Sequence, residues 1–123
     1  METDNFIREF FDKEKNPKVN GKRHGLACNY YPGGQLKITR TYIEGKTEGL
    51  ECMYYPDGTM WQTSEYKNGV KDGLLRMWRK DGSLELEANY KADQKHGDFK
   101  KWDEKGNLLY SCVFKDGQEV KNA

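Results

Sequence analysis

Residues 44–67 read EGKTEGLECMYYPDGTMWQTSEYK, and the way this stretch divides decides the fold. Residues 49–55 and 59–66 are two runs rich in Leu, Met, Tyr, Thr and Trp, the composition of strands. Between them, Pro56-Asp57-Gly58 specifies a turn. Proline sets φ for the first corner, aspartate suits the second, and glycine accepts the left-handed conformation that follows. The stretch is therefore predicted to be a β-hairpin whose three-residue loop ends in a glycine bulge.

The same unit recurs with a step of 24 residues. Glycines stand at 25, 49, 73 and 97, and again at 34, 58, 82 and 106. Tyr30, Tyr54, Trp78 and Trp102 form one aromatic column, and Tyr42, Tyr66, Tyr90 and Phe114 form another. A strict repeat fixes an architecture in which one small unit packs on copies of itself. We therefore divide the chain into an N-terminal segment (1–19), four repeats (20–43, 44–67, 68–91 and 92–115) and a partial fifth (116–123). The expected fold is all-β, a single-layer antiparallel sheet of four stacked hairpins. Glycines 21, 45, 69 and 117 punctuate the return loops, while Asp93 replaces glycine in the fourth copy and predicts some strain there.

Turn geometry and alternation predict the faces. With Tyr55 opposite Thr59, Met53 pairs with Trp61, Tyr54 with Met60 and Cys52 with Gln62, so even-numbered strand residues share one face. That face carries Leu26, Cys28, Tyr30, Ile38, Tyr42, Leu74, Trp78, Leu86, Ala88 and Tyr90, and is expected to be the core. The odd face, with Lys37, Thr39, Thr41, Glu85, Glu87 and Lys101, is expected to be wet. On it Met53, Tyr55, Trp61, Leu75 and Met77 come from three consecutive strands and form an apolar patch. Trp61 is informative because its column holds Lys37, Glu85 and Leu109 elsewhere, so the repeat does not demand it. Such a patch marks a contact site; coverage by the N-terminal segment or by a homodimer mate is the other reading. In residues 1–19, Phe6, Ile7, Phe10 and Phe11 recur at helical spacing, with Pro17 as a stop. They predict a helix that caps the sheet or docks on a partner.

Composition bounds the rest. The 123 residues are 35% hydrophobic and 33% charged, which suits a sheet without a thick closed core, and periodic aromatics argue against disorder. A net charge of +1 from interspersed charges provides little of the field that nucleic acid requires, so no nucleic-acid partner is expected. The acidic start Met1-Glu-Thr-Asp does not read as a secretory signal, and the expected location is cytoplasmic. Cys28 and Cys52 fall about 9–10 Å apart at two strand spacings, too far to bridge, and the odd count of three cysteines reads as reduced thiols. His24 and His96 share a column with Glu48 and Asp72, yet lie roughly 29 Å apart at six strand spacings, so no metal site is expected. Ser64, Ser83 and Ser111 have no histidine in reach and the cysteines no adjacent base, so neither an enzyme nor a cofactor is predicted. Lys22-Arg23-His24 and Lys100-Lys101 are small basic clusters with a weak claim on anionic lipid.

The unit N-G-K-x-x-G-L-x-x-x-Y-Y-x-x-G-x-L, seen from Asn20 to Leu36, resembles the MORN repeat. It looks closest to the bacterial variant of the YwqK family of toxin–antitoxin antitoxin components. The resemblance covers residues 20–115 and implies a binding scaffold, with neutralisation of a partner protein as the antitoxin-like role. A membrane-peripheral, phospholipid-binding scaffold is the alternative that MORN repeats suggest. The copies depart from the form Y-x-G-x-x-x-x-G-x-G, since Glu51, Leu75 or Phe99 replaces one glycine of the closing pair.

Overall fold

A computed structural model describes residues 18–120. A short hairpin comes first, β1 (Lys18–Val19) with β2 (Lys22–Arg23). One antiparallel sheet follows, built from β3 (Gly25–Tyr30), β4 (Leu36–Ile43), β6 (Gly49–Tyr54), β7 (Met60–Lys67), β8 (Val70–Trp78), β9 (Leu84–Lys91), β10 (Gln94–Trp102), β11 (Leu108–Lys115) and β12 (Gln118–Val120). The short β5 (Lys46–Thr47) also pairs with β4. Strands follow one another across the sheet in chain order, so each hairpin packs on the next. Residues 1–17, including the expected helix with Phe6, Ile7, Phe10 and Phe11, lie outside the described residues.

The four hairpin loops are those the sequence specifies. Tyr55 N–H donates to Thr59 O at 2.8 Å, Gly58 N–H donates to Tyr55 O at 2.9 Å, and Gly58 holds φ at 93°. Asp57 Oδ1 accepts from Thr59 N–H at 2.9 Å, locking the turn from its own side chain. The return loops put two successive residues at positive φ, as the tight two-residue turn between twisted strands requires. Asn68 and Gly69 stand at 51° and 84°, and Ala92 and Asp93 at 50° and 71° in the same turn of the fourth copy. Asp93 is tied down there, since its Oδ1 accepts from Lys71 N–H at 2.7 Å.

The expected register fails one residue beyond each loop. Tyr54 does face Met60, but Met53 faces Gln62 and Cys52 faces Thr63. Trp61 is skipped in the ladder as the extra residue of a β-bulge. Its column mates Lys37, Glu85 and Leu109 are skipped at the same point of their own hairpins. A bulge reverses the parity of everything after it, so the division into an even core and an odd wet face is wrong. Odd residues of each first strand share a face with even residues of each second strand. Leu26, Cys28, Tyr30, Leu74 and Trp78 thus lie opposite in sense to Ile38, Tyr42, Leu86, Ala88 and Tyr90, not beside them.

The most buried row confirms this geometry. It runs Ala27, Arg40, Glu51, Ser64, Leu75, Ala88, Phe99, Cys112 across eight strands. Six of its members are buried: Ala27, Glu51, Ser64, Leu75, Ala88 and Phe99. Glu51 is only 4% exposed and pairs with the Arg40 guanidinium from the preceding hairpin. Along the same face, glycines 25, 49, 73 and 97 each stand opposite an aromatic: Tyr42, Tyr66, Tyr90 and Phe114. A ring opposite a glycine covers backbone that has no side chain of its own, which explains why the two columns repeat together. Two further residues are inserted between hairpins, so that residues 72–74 stand against Glu65 alone. Gly73 there adopts φ 118°, and a Cβ would run into the Glu65 carboxylate.

Candidate functional site

The hairpin ends of the first three repeats carry a belt of aromatic and cationic side chains. Tyr31 and Tyr55 occupy one column just before the loops, and each reaches across to the following hairpin. The Tyr31 phenol donates to Tyr54 O at 2.7 Å, and the Tyr55 phenol donates to Trp78 O at 2.7 Å. Arg79 fills the column in the third copy, its Nη2 donating to Trp102 O. These bonds stitch neighbouring hairpins and fix each ring at a set height above the sheet. Burial pushes the Tyr55 phenol above its ordinary range, with Glu85 and Asp57 adding to the shift. It stays a protonated donor at neutral pH.

Trp61 stands against this column. Its ring centroid lies 6.1 Å from that of Tyr55 at 45°, within the range of favourable aromatic pairs. Lys80 Nζ sits 5.9 Å from the centre of the Tyr55 ring, and Lys37 Nζ, in the Trp61 column, sits 5.5 Å from that of Tyr31. Beside Tyr31 a recess of about 490 Å³ is lined by Asn29, Lys37 and Ile38 among others. Tyr31, Tyr55 and Trp61 are all half-buried, each keeping some surface for solvent.

The five residues of the expected patch separate into two pairs and a lone fifth residue. Tyr55 and Trp61 meet at the hairpin end. Met53 and Met77 lie on one face, both paired with Gln62, in the row Ile38, Met53, Gln62, Met77, Leu86. Leu75 belongs to the neighbouring row and is 6% exposed, so it supports the sheet and offers no contact area. Alternation could not separate Leu75 from Met53 and Met77, because all three are odd residues of first strands and share one face; burial alone distinguishes them.

Other candidates have structural work. His24 Nδ1 accepts from Glu44 N–H at 3.4 Å, Glu48 Oε2 from Asn68 N–H at 2.6 Å, and His96 Nδ1 from Asp116 N–H at 3.3 Å. His24, Glu48 and His96 therefore each hold the following return loop by one acceptor, a role open to histidine and glutamate alike. Among the described residues, no group of three His, Cys, Asp or Glu is arranged to hold a metal ion. Ser64 is buried and bonded to Gln62, and Cys28, Cys52 and Cys112 form no disulfide among the described residues. Of the basic residues, Arg23 lies 5.2 Å from the Tyr42 ring centre and donates to its phenol at 3.1 Å. Lys71 lies over Tyr90, and Lys95 between Phe99 and Phe114 at 4.8 and 5.0 Å. These cations sit on the aromatic column at the return-loop end, away from Trp61, where each contributes about 0.5–1 kcal/mol at exposed sites.

The MORN repeat variant family matches residues 23–44, 47–68 and 95–116, more than half of the chain. The chain belongs to that family. MORN repeats are generally non-catalytic, and this chain is a MORN repeat scaffold of β-hairpins. The intervening copy, 71–92, builds the same MORN hairpin between matched neighbours. No curated protein matches the chain. Among the described residues no helix is long and apolar enough to cross a membrane.

Proposed function

We propose that this MORN scaffold is a non-enzymatic, cytoplasmic protein-binding module whose contact surface centres on Trp61 and Tyr55. Met53 and Met77 extend it along the sheet. One observation carries the reading: Trp61 fills the bulge column, which holds Lys37, Glu85 and Leu109 in the other copies. Nothing in the hairpin calls for a tryptophan there, while tryptophan beside tyrosine is the usual composition of an interface centre. Neutralisation of a partner protein, in the manner of an antitoxin, is the role this reading favours.

The test is capture of a partner by wild type and by Trp61→Glu, with circular dichroism and melting alongside. The variant keeps its fold and loses capture. Capture undiminished by Trp61→Glu refutes the site, and unfolding would show the indole to be part of the sheet's support. The phospholipid alternative predicts salt-sensitive co-sedimentation with anionic vesicles. It receives less support, since Arg23, Lys71 and Lys95 are engaged with aromatic rings.

A further inference from the structure

We infer that residues 1–17 dock on the first repeat of their own chain and seal Cys28, so that the N-terminal segment caps the sheet and is not held out for a partner. The inference does not rest on the reading of Trp61. It starts from a row of side chains on the face opposite the buried Glu51 row. That row runs Cys28, Thr39, Cys52, Thr63, Arg76, Glu87, Lys100, Ser111 from β3 to β11. Cys28 ends the row, since β3 lies at the sheet's edge and pairs only with β4 among the described strands. A side chain there has a row neighbour on one side only. Yet Cys28 is 1% exposed, whereas Cys52, with Thr39 on one side and Thr63 on the other, is only half-buried, and Arg76 is exposed. This order is the reverse of what strand neighbours alone produce.

Burial of that kind requires cover from chain beyond residues 18–120. Residues 121–123 do not reach. They follow β12, which is eight strand positions from β3, or about 38 Å at 4.8 Å per strand, while three residues span about 10 Å. Residues 1–17 lead directly into β1, whose partner β2 runs on into β3. They carry four large apolar side chains, Phe6, Ile7, Phe10 and Phe11. The receiving surface matches them in chemistry. Around Cys28 the face is built from Leu26, Thr39 and Thr41, none of them charged. Past Thr63 the row turns to Arg76, Glu87 and Lys100, the first two ion-paired. An aromatic segment leaves water over the first part without stranding a charge, and would desolvate charges over the second. The cover stays on the first repeat, because Leu50, on the same face of the second, is 51% exposed. An end unit of a stacked array has no neighbour to bury its face, and such a segment meets that need.

Labelling of the full chain with N-ethylmaleimide under native conditions tests this, read at each cysteine by mass spectrometry of the digest. In the parent chain Cys28 labels about tenfold or more slowly than Cys52, at a rate independent of protein concentration. Phe6→Asp with Phe10→Asp speeds labelling of Cys28 by about tenfold or more, and leaves Cys112, in β11 near the other end of the sheet, unchanged. Circular dichroism checks that the sheet survives; if it does not, Phe6→Ala and Phe10→Ala, each a milder change, carry the same comparison. Labelling of Cys28 as fast as that of Cys52 in the parent overturns the inference, and that result needs no variant to fold. Continued protection of Cys28 in the folded variants also overturns it, because the cover then comes from elsewhere. Protection that is lost on dilution assigns the cover to a second copy of the chain, and overturns it equally.

Discussion

Arg40→Ala should be among the most damaging single changes in the sheet, although Arg40 is itself partly exposed. The side chain of Glu51 is 5% exposed, and Arg40 is its ion-pair partner. Removing one member of a buried pair leaves a charge without compensation, at a cost of about 3–5 kcal/mol. The Arg40 side chain is 31% exposed, so water can enter where the guanidinium stood, and the expected cost sits near the lower end, about 3 kcal/mol. Glu51→Ala should cost less, about 1–2 kcal/mol, because the stranded arginine can turn to solvent. The double change Arg40→Ser with Glu51→Leu rebuilds the pair that Ser64 and Leu75 already form between the next two hairpins. It should recover the stability of the parent or exceed it by about 1–4 kcal/mol. Urea unfolding followed by circular dichroism measures all three. A loss below about 1 kcal/mol for Arg40→Ala, or a double variant no better than that single one, would refute the picture of a charge that depends on its partner.

Three other changes probe the loops and the bulges. Ala92 holds φ 50° where Asn20 and Asn68 stand in other copies, so Ala92→Asn should raise stability by about 0.5–1 kcal/mol in thermal melts. Gly73→Ala meets both a φ of 118° and the Glu65 carboxylate, and should cost about 2 kcal/mol or more; Gly49→Ala, with φ 80° and open space, should cost only about 1 kcal/mol. Asp57, Asp81 and Asp103 lie below the usual carboxylate range because Thr59, Ser83 and Asn107 donate hydrogen bonds to them. A depressed value means that the turn stabilisation is complete above the ordinary aspartate value of about 3.9 and is lost as pH falls through the lower folded value. Carboxyl titration by NMR should find all three below their unfolded values, with hairpin stability declining only under about pH 4.

Sequence reading reached as far as local chemistry decides the outcome. Pro56-Asp57-Gly58 names its own turn, the 24-residue glycine and aromatic columns name the hairpin array, and Tyr54 falls opposite Met60 as the loop dictates. The bulge one residue further on was hidden because its column reads Lys37, Trp61, Glu85 and Leu109. Such a bulge needs an extra residue but no particular side chain. Every face assignment beyond it is therefore inverted on one strand of each hairpin, so Met53, Leu75 and Met77 share their face with Ser64 and Ala88, and alternation gives no sign that Leu75 is the buried one of the three. Arg40 and Glu51 escaped notice because they belong to different columns of different repeats and meet only across the sheet. The tyrosine stitches were equally invisible, since a phenol bonded to a main-chain carbonyl leaves no mark on the residue that accepts it. Trp61 was legible for the opposite reason: it departs from its column, and departure from a repeat can be read without coordinates.

The bulge that skips Trp61 sets the faces of every second strand, and the protein carries a built-in probe of it in Cys52. With Thr63 opposite Cys52, Thr63→Cys should form a disulfide with the native thiol on mild oxidation, and Gln62→Cys should not. Mass spectrometry of the oxidised, digested variants reads the result directly. A Cys52 bridge formed by Gln62→Cys and refused by Thr63→Cys would contradict the register, and with it the position of Trp61.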